Sequence, residues 1–138
     1  MILQDPILGA AWLAGLYEGE GTIWKNEPVR ANDPQGRTQR SASLYIAIAM
    51  KDEDVIQHCI AVTGVGKVHV THQYDYPMYH WRVRSPRDIE VVLKLIWPFL
   101  GERRRAQINK CLDWWNLYHE VHSDGKHIEK AIDRSELV

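Results

Sequence analysis

The run Trp12-Leu13-Ala14-Gly15-Leu16-Tyr17-Glu18-Gly19-Glu20-Gly21 opens as a helix and closes as something else. Ala11, Leu13, Ala14 and Leu16 are good helix formers, and Asp5-Pro6 upstream supplies an N-cap with proline in the first turn. The last residues alternate glutamate with glycine, a pattern that a helix interior disfavours. Ala11, Gly15 and Gly19 are four apart and share one face, where a second helix can approach almost to backbone contact. In lipid that spacing is a pairing signal, but this run is too short and too acidic to span a bilayer. Glu18 and Glu20 sit where the helix stops. Negative charge there costs up to ~1 kcal/mol, so a cation is expected to answer it.

As a motif, the decapeptide resembles the signature of the LAGLIDADG homing endonucleases. Leu13-Ala14-Gly15-Leu16 and Gly21 match that signature outright. Tyr17 stands for its usual aliphatic residue, Gly19 for its small residue, and Glu18 and Glu20 for its two aspartates. The alternative is a packed helix followed by a glycine turn with solvated acids. It leaves the acid–glycine alternation unexplained. The resemblance extends over roughly residues 8–115.

The 138 residues suffice for one domain with a modest core, and 45% hydrophobic residues with six tryptophans mark a packed chain rather than a disordered one. A single domain over residues 1–119 is expected, followed by a weakly structured tail over 120–138 that breaks at Ser123-Asp124-Gly125. No apolar run is long enough to cross a membrane and no signal-like segment stands out. An intracellular setting, in cytoplasm, nucleoid or organelle matrix and not secreted, is therefore expected. Cys59 and Cys111 fall singly within helical patterns and read as free thiols. The net charge of −1 argues mildly against a nucleic-acid partner. Its distribution argues the other way. Residues 24–45 and 65–84 carry seven cations against three acids, a net +4 that leaves −5 for the remainder. Charge polarised onto the predicted strands can face a phosphate backbone.

Along the chain, Thr22–Asn26 predicts a strand and Glu27–Gln39 a polar loop with Pro28, Pro34 and Gly36. Residues 41–50 alternate, with Leu44, Ile46 and Ile48 on one side and Ser41, Ser43, Tyr45 and Ala47 on the other. Asp52-Glu53-Asp54 opens a helix to about Thr63, striped by Val55, Ile56, Cys59 and Ile60 and stopped by Gly64. A third strand, 66–72, points Val68 and Val70 inward and Lys67, His69 and Thr71 outward. Tyr74-Asp75-Tyr76-Pro77 turns the chain into a fourth, 78–84, with Tyr79, Trp81 and Val83 inward and His80, Arg82 and Arg84 outward. Ser85-Pro86 then caps a helix carrying Ile89, Val92, Leu93 and Ile96, which breaks at Trp97-Pro98. A final helix over 101–119 is expected to bury Ile108, Leu112, Trp115 and Leu117. Two helix–strand–strand units in one short chain predict an α+β fold, with helices on one face of an antiparallel sheet and cations on the other. The resemblance implies the same: an αββαββα core with a four-stranded saddle sheet, plus a C-terminal helix.

The resemblance also implies a function, that of a site-specific DNA endonuclease. One motif per chain implies a homodimer paired through Ala11, Trp12, Gly15, Leu16 and Gly19. It implies Glu20, with Gly19 beside it, at a metal site taking Mg²⁺, for which Mn²⁺ can substitute. A second catalytic residue is expected after Trp97-Pro98-Phe99-Leu100, where the family carries a lysine and Arg103 stands here. An arginine neutralises phosphate but does not readily exchange a proton. Met50 stands where several relatives carry a glutamine. The pairing would place two Glu20 carboxylates near a two-fold axis, each copy cutting one strand of a long pseudo-palindromic duplex to leave a staggered break. DNA contacts are expected from the outward strand residues Asn26, Arg30, Arg40, Ser41, Ser43, Tyr45, Lys67, His69, Thr71, His80, Arg82 and Arg84. Two other readings use the same scaffold: an RNA-binding maturase for a group I intron, and a DNA-binding protein without cleavage. A structural zinc site among the seven histidines is disfavoured, since no cysteine lies at ligand spacing from them.

Overall fold

The computed structural model describes residues 5–28, 33–36, 41–121 and 130–138. Helix α1 runs Pro6–Glu20 and is capped as its sequence implies: the Asp5 carboxylate accepts from the Ile7 and Leu8 amides at 2.9 and 3.3 Å. Strand β1, Gly21–Asn26, follows without a linker. Then come β2 (Ser43–Met50), α2 (Glu53–Thr63), β3 (Lys67–Thr71), β4 (Met78–Val83) and α3 (Pro86–Ile96). A short 3-10 turn at Trp97–Phe99 leads into α4, Glu102–Val121. None of the described helices is long and apolar enough to cross a membrane.

The strands form one antiparallel sheet in the order β1-β2-β4-β3. Opposite residues in the register share a face, so Ile23 with Ile46, Ile48 with Trp81 and Val68 with Trp81 build one apolar side. Against it pack Leu13, Ala14 and Tyr17 of α1, Ile56 and Cys59 of α2, Ile89, Val92, Leu93 and Ile96 of α3, and Ile108, Leu112 and Trp115 of α4, all buried. This is the α+β arrangement expected from the alternation. Two inward assignments need correcting. Val70, next to last in the edge strand β3, stays 46% exposed, because an edge strand has a neighbour on one side only. Leu117 is 60% exposed, and α4 buries His119 in its place. One helical turn beyond Trp115, the His119 ring lies edge-on with centroids 4.1 Å apart.

Two glycines are demanded by close approach. A Cβ on Gly66, where φ is +93°, would stand 2.3 Å from the Trp81 indole nitrogen, which donates to the Val65 carbonyl at 3.0 Å. A Cβ on Gly21 would stand 2.1 Å from the buried Tyr17 ring. The Gly21 amide meanwhile donates to the Tyr17 carbonyl and ends the helix. Tyr17 therefore sits where a side chain at position 21 would have to go.

Residues 130–138 carry fixed contacts. Trp115 Nε1 donates to the Lys130 carbonyl at 2.7 Å, and the Asn116 amide brackets Ile132, donating at 3.0 Å and accepting at 2.8 Å. Ile132 is buried, and the Asp133 amide donates to Glu90 at 2.6 Å. Arg134 holds Asn109 and Asp113.

Gly21→Ala should force the Tyr17 ring to move and lower stability by about 2 kcal/mol, the middle of the range for overpacking. Urea unfolding read by tryptophan fluorescence checks this, and an unchanged midpoint would show that the contact constrains nothing.

Candidate functional site

The end of α1 is organised by groups drawn from the start of α4. Glu18 Oε2 accepts the Gly101 amide at 2.7 Å, and the Glu18 carbonyl accepts Arg104 Nε and Nη2 at 3.1 and 3.0 Å. Carbonyls in the last turn of a helix lack intrahelical donors and carry its partial negative charge, so the guanidinium is the cation that this terminus required. Arg104 also lies 5.4 Å over the Tyr17 ring. Burial pushes the Tyr17 phenol well above its ordinary value, and its hydroxyl has no hydrogen-bond partner among the described residues. Arg105 donates to the Trp97 carbonyl at 3.2 and 2.8 Å. Arg103, the arginine singled out from the sequence, is exposed and makes no hydrogen bond or ion pair with the described residues. The structural anchor is thus Arg104, which sequence reasoning passed over; its signal was the acid-rich helix end that needed a cation.

Glu20 is the counterpart of Glu18 with no such tether. It is exposed, two residues beyond the Glu18–Gly101 contact, and forms no hydrogen bond or ion pair with the described residues. Gly19, on the same turn, is exposed as well. The pair offers hard oxygen donors, one carboxylate and a backbone carbonyl, of the kind that Mg²⁺ accepts. No group of three or more His, Cys, Asp or Glu among the described residues could hold a metal.

The outward face of α1 is open. A Cβ added at Gly15 or Gly19 would meet nothing within 4 Å among the described residues. Ala11, Trp12 and Leu16 are partly exposed, and Ile7 and Leu8 near the start of the helix are 69% and 53% exposed. A helix apolar nearly all round, packed on one side only, leaves a second side to be covered.

The side of the sheet away from the helices holds the predicted contact residues. Asn26, Ser43 and Tyr45 lie toward β1, and Lys67, His69, Thr71, His80 and Arg82 toward β3. Ser41 and Arg84 flank the strands and are exposed; Arg30 and Arg40 lie outside the described residues. Asn26 is held in place, accepting from Trp24 Nε1 at 2.8 Å and donating to Ser43 Oγ at 3.2 Å. Lys67 stands directly opposite Arg82 in the register, and His69 opposite His80. Like charges facing across strands are destabilising, so this pairing is poorly suited to an isolated sheet. Lys67, His69, Arg82 and Arg84 line a depression of about 260 Å³ that Asp88 also borders. Lys25 departs from this set. Paired with Leu44, it faces the helices and places Nζ 5.0 Å over the Trp114 ring.

No protein-family model matches the sequence, and no curated protein does either. Solved structures do match. The homing endonuclease I-CvuI, in complex with its target in the presence of calcium, is similar with a TM-score of 0.61 at 20% identity, over 78% of this chain and 66% of its own. The LAGLIDADG meganuclease I-CpaMI bound to uncleaved DNA gives 0.63 at 21% identity, over 84% of this chain and 40% of that one. The homing endonuclease I-TnaI gives 0.58 at 18% identity, over 86% and 76%. This chain therefore has the LAGLIDADG homing-endonuclease fold, and it spans just under two thirds of I-CvuI and two fifths of I-CpaMI.

His80 gives a test of the sheet face. Its Nε2 lies 3.0 Å from Thr71 Oγ1, and burial, then Arg82 and His69, lower its pKa below the ordinary 6.5. A depressed histidine takes its proton later in the folded chain than in the unfolded one. Stability should therefore fall as pH drops below 6.5 toward the folded value, and level off beneath it. Urea unfolding at pH 7.5 and 5.5 should show a larger loss for the wild type than for His80→Gln; equal losses would contradict it.

Proposed function

We propose that two copies of this chain pair through the open face of α1 to form a site-specific DNA endonuclease that uses Mg²⁺. The observation that carries this reading is Glu20: an exposed carboxylate at a helix end with no tether among the described residues, where Glu18 two residues before it is held through Oε2 by Gly101 and through its carbonyl by Arg104. Gly15 and Gly19 each cost the isolated helix about 1 kcal/mol relative to alanine, and nothing among the described residues needs them small. A twin helix packed backbone to backbone needs both. That pairing supplies a second Glu20 and completes a ligand set that one chain lacks.

Glu20 and the Gly19 carbonyl from each copy would hold the ion; Mn²⁺, similar in its oxygen preference, would substitute. When bound, it supplies a nucleophilic water near neutral pH and stabilises the leaving oxygen. Glu20 tolerates the approach of its twin only with that charge between them. Arg103, with no partner among the described residues, offers charge to a phosphate and is not a general base. Arg104 is a positioning residue, holding the helix end from which Glu20 projects. Lys67, Arg82 and Arg84 engage the DNA backbone, where anions relieve their mutual repulsion. Tyr45, His69 and Thr71 on the same face complete the contact surface. Asn26, with its amide orientation fixed by Trp24 and Ser43, keeps one donor and one acceptor free, the pair that reads adenine.

A maturase or a non-cleaving DNA-binding protein on the same scaffold would use the cationic face without needing Glu20. Glu20→Gln separates them. It keeps length and hydrogen-bonding capacity and removes the charge. Gel-shift binding without metal should persist, while nicking and cleavage of the same duplex in Mg²⁺ should fall by orders of magnitude. Full cleavage by the variant would remove the metal role, and loss of binding together with cleavage would make Glu20 a structural residue.

A further inference from the structure

The turn between β3 and β4 belongs to neither the cationic face nor the helix end. At its tip Tyr74 and Tyr76 stack, ring centroids 5.4 Å apart and 14° between planes, and they remain 56% and 37% exposed. Lys51, just after β2, places Nζ 3.9 Å from the Tyr76 ring centroid. Lys51 follows β2 directly and Tyr76 precedes β4 by two residues; both are exposed, and their contact joins the two segments at this end of the sheet.

The register places this tip at the same end of the sheet as Glu20. Strand β1 begins at Gly21 opposite Ile48, β2 ends at Met50 opposite Tyr79, and β4 begins at Met78. From β1 to β4 is two strand spacings, about 10 Å. That span is about three base-pair steps of duplex. The chemistry of the tip also selects its target. Asp75, between the tyrosines, would be repelled by phosphates, so the tip does not suit the DNA backbone. Tyr74, the more exposed ring, suits the π-face of a base; Tyr76 backs it, and Lys51 over the Tyr76 ring places a cation where the strand that carries that base would pass.

We propose that Tyr74 and Tyr76 form a stacking platform that opens a base step a few pairs from the scissile phosphate. Sequence near the cut is then selected by how readily its stack opens, which favours pyrimidine–purine steps. This rests on the DNA-endonuclease reading, and the test keeps the two apart. The probe is a duplex recovered by the wild type from a random-sequence library in Ca²⁺, with 2-aminopurine placed in turn at each central position. The wild type should raise its fluorescence at one step or two adjacent ones. Tyr74→Ala and Tyr76→Ala should lose that rise and bind about tenfold more weakly, as expected for one lost stack. Tyr76→Phe should keep both, and unchanged thermal melts of all three variants would set folding aside. A rise that survives both alanine variants, or no rise on a duplex that is bound, would overturn the platform and leave the endonuclease reading standing. If no duplex is enriched at all, that reading falls and the platform with it.

Discussion

The contact between the Tyr17 ring and the backbone of Gly21 is the constraint on which the rest depends. It allows no side chain at position 21 and no spare residue between helix and strand. Once α1 must stop at Glu20, the start of β1 is fixed, and with it the pairing of Gly21 to Ile48 that sets the register of the sheet. Arg104 and Gly101 reinforce the same point from the other side, closing on Glu18 so that the acid next in line is left outside. One helix terminus therefore does two jobs. It seats the core through Tyr17, and it presents a carboxylate that the core does not use.

The two surfaces left open by this arrangement are opposite in character. The outer side of α1 is apolar, and its glycines cost helix stability with no close neighbour among the described residues. The sheet face concentrates cations that oppose one another across β3 and β4. Each is unfavourable in an isolated chain; on the proposed reading a twin helix relieves the first and a polyanion the second. A near-neutral total charge conceals this, because acids elsewhere in the chain offset the cations on the strands. Local charge, not the sum, decides what the sheet can face.

Much of this was legible from residue patterns. Strict alternation in 44–48 and 79–83 set the faces of the sheet, and Asp5-Pro6 and Gly64 set helix ends, because these depend on neighbours in the chain. What escaped depends on partners distant in sequence. Leu117 fits an apolar stripe, yet α4 turns His119 inward, because the ring packs on Trp115 one turn before it. Val70 fits the alternation but lies on the edge strand, flanked on one side only. Lys25 reads as a strand cation and is drawn instead to an indole on α4. Of three consecutive arginines, only tertiary contacts separate Arg104 and Arg105, which are bound, from Arg103, which has no partner among the described residues. The contacts of residues 130–138 rest on the Asn116 amide and on Glu90, neither of which announces a distant partner.

The central claim is that the open face of α1 is covered by a second copy, and sedimentation velocity tests it most directly. A Cβ at Gly15 meets no other described residue outside its own helix turn within 4 Å, so Gly15→Leu should leave the monomer fold intact and act only where another helix approaches. The account predicts that the wild type sediments as a dimer, at twice the chain mass alone and as two chains per duplex on DNA, and that Gly15→Leu sediments as a monomer with an unchanged circular dichroism spectrum. A wild type that stays monomeric in both conditions, or a Gly15→Leu variant that remains a dimer, would contradict it.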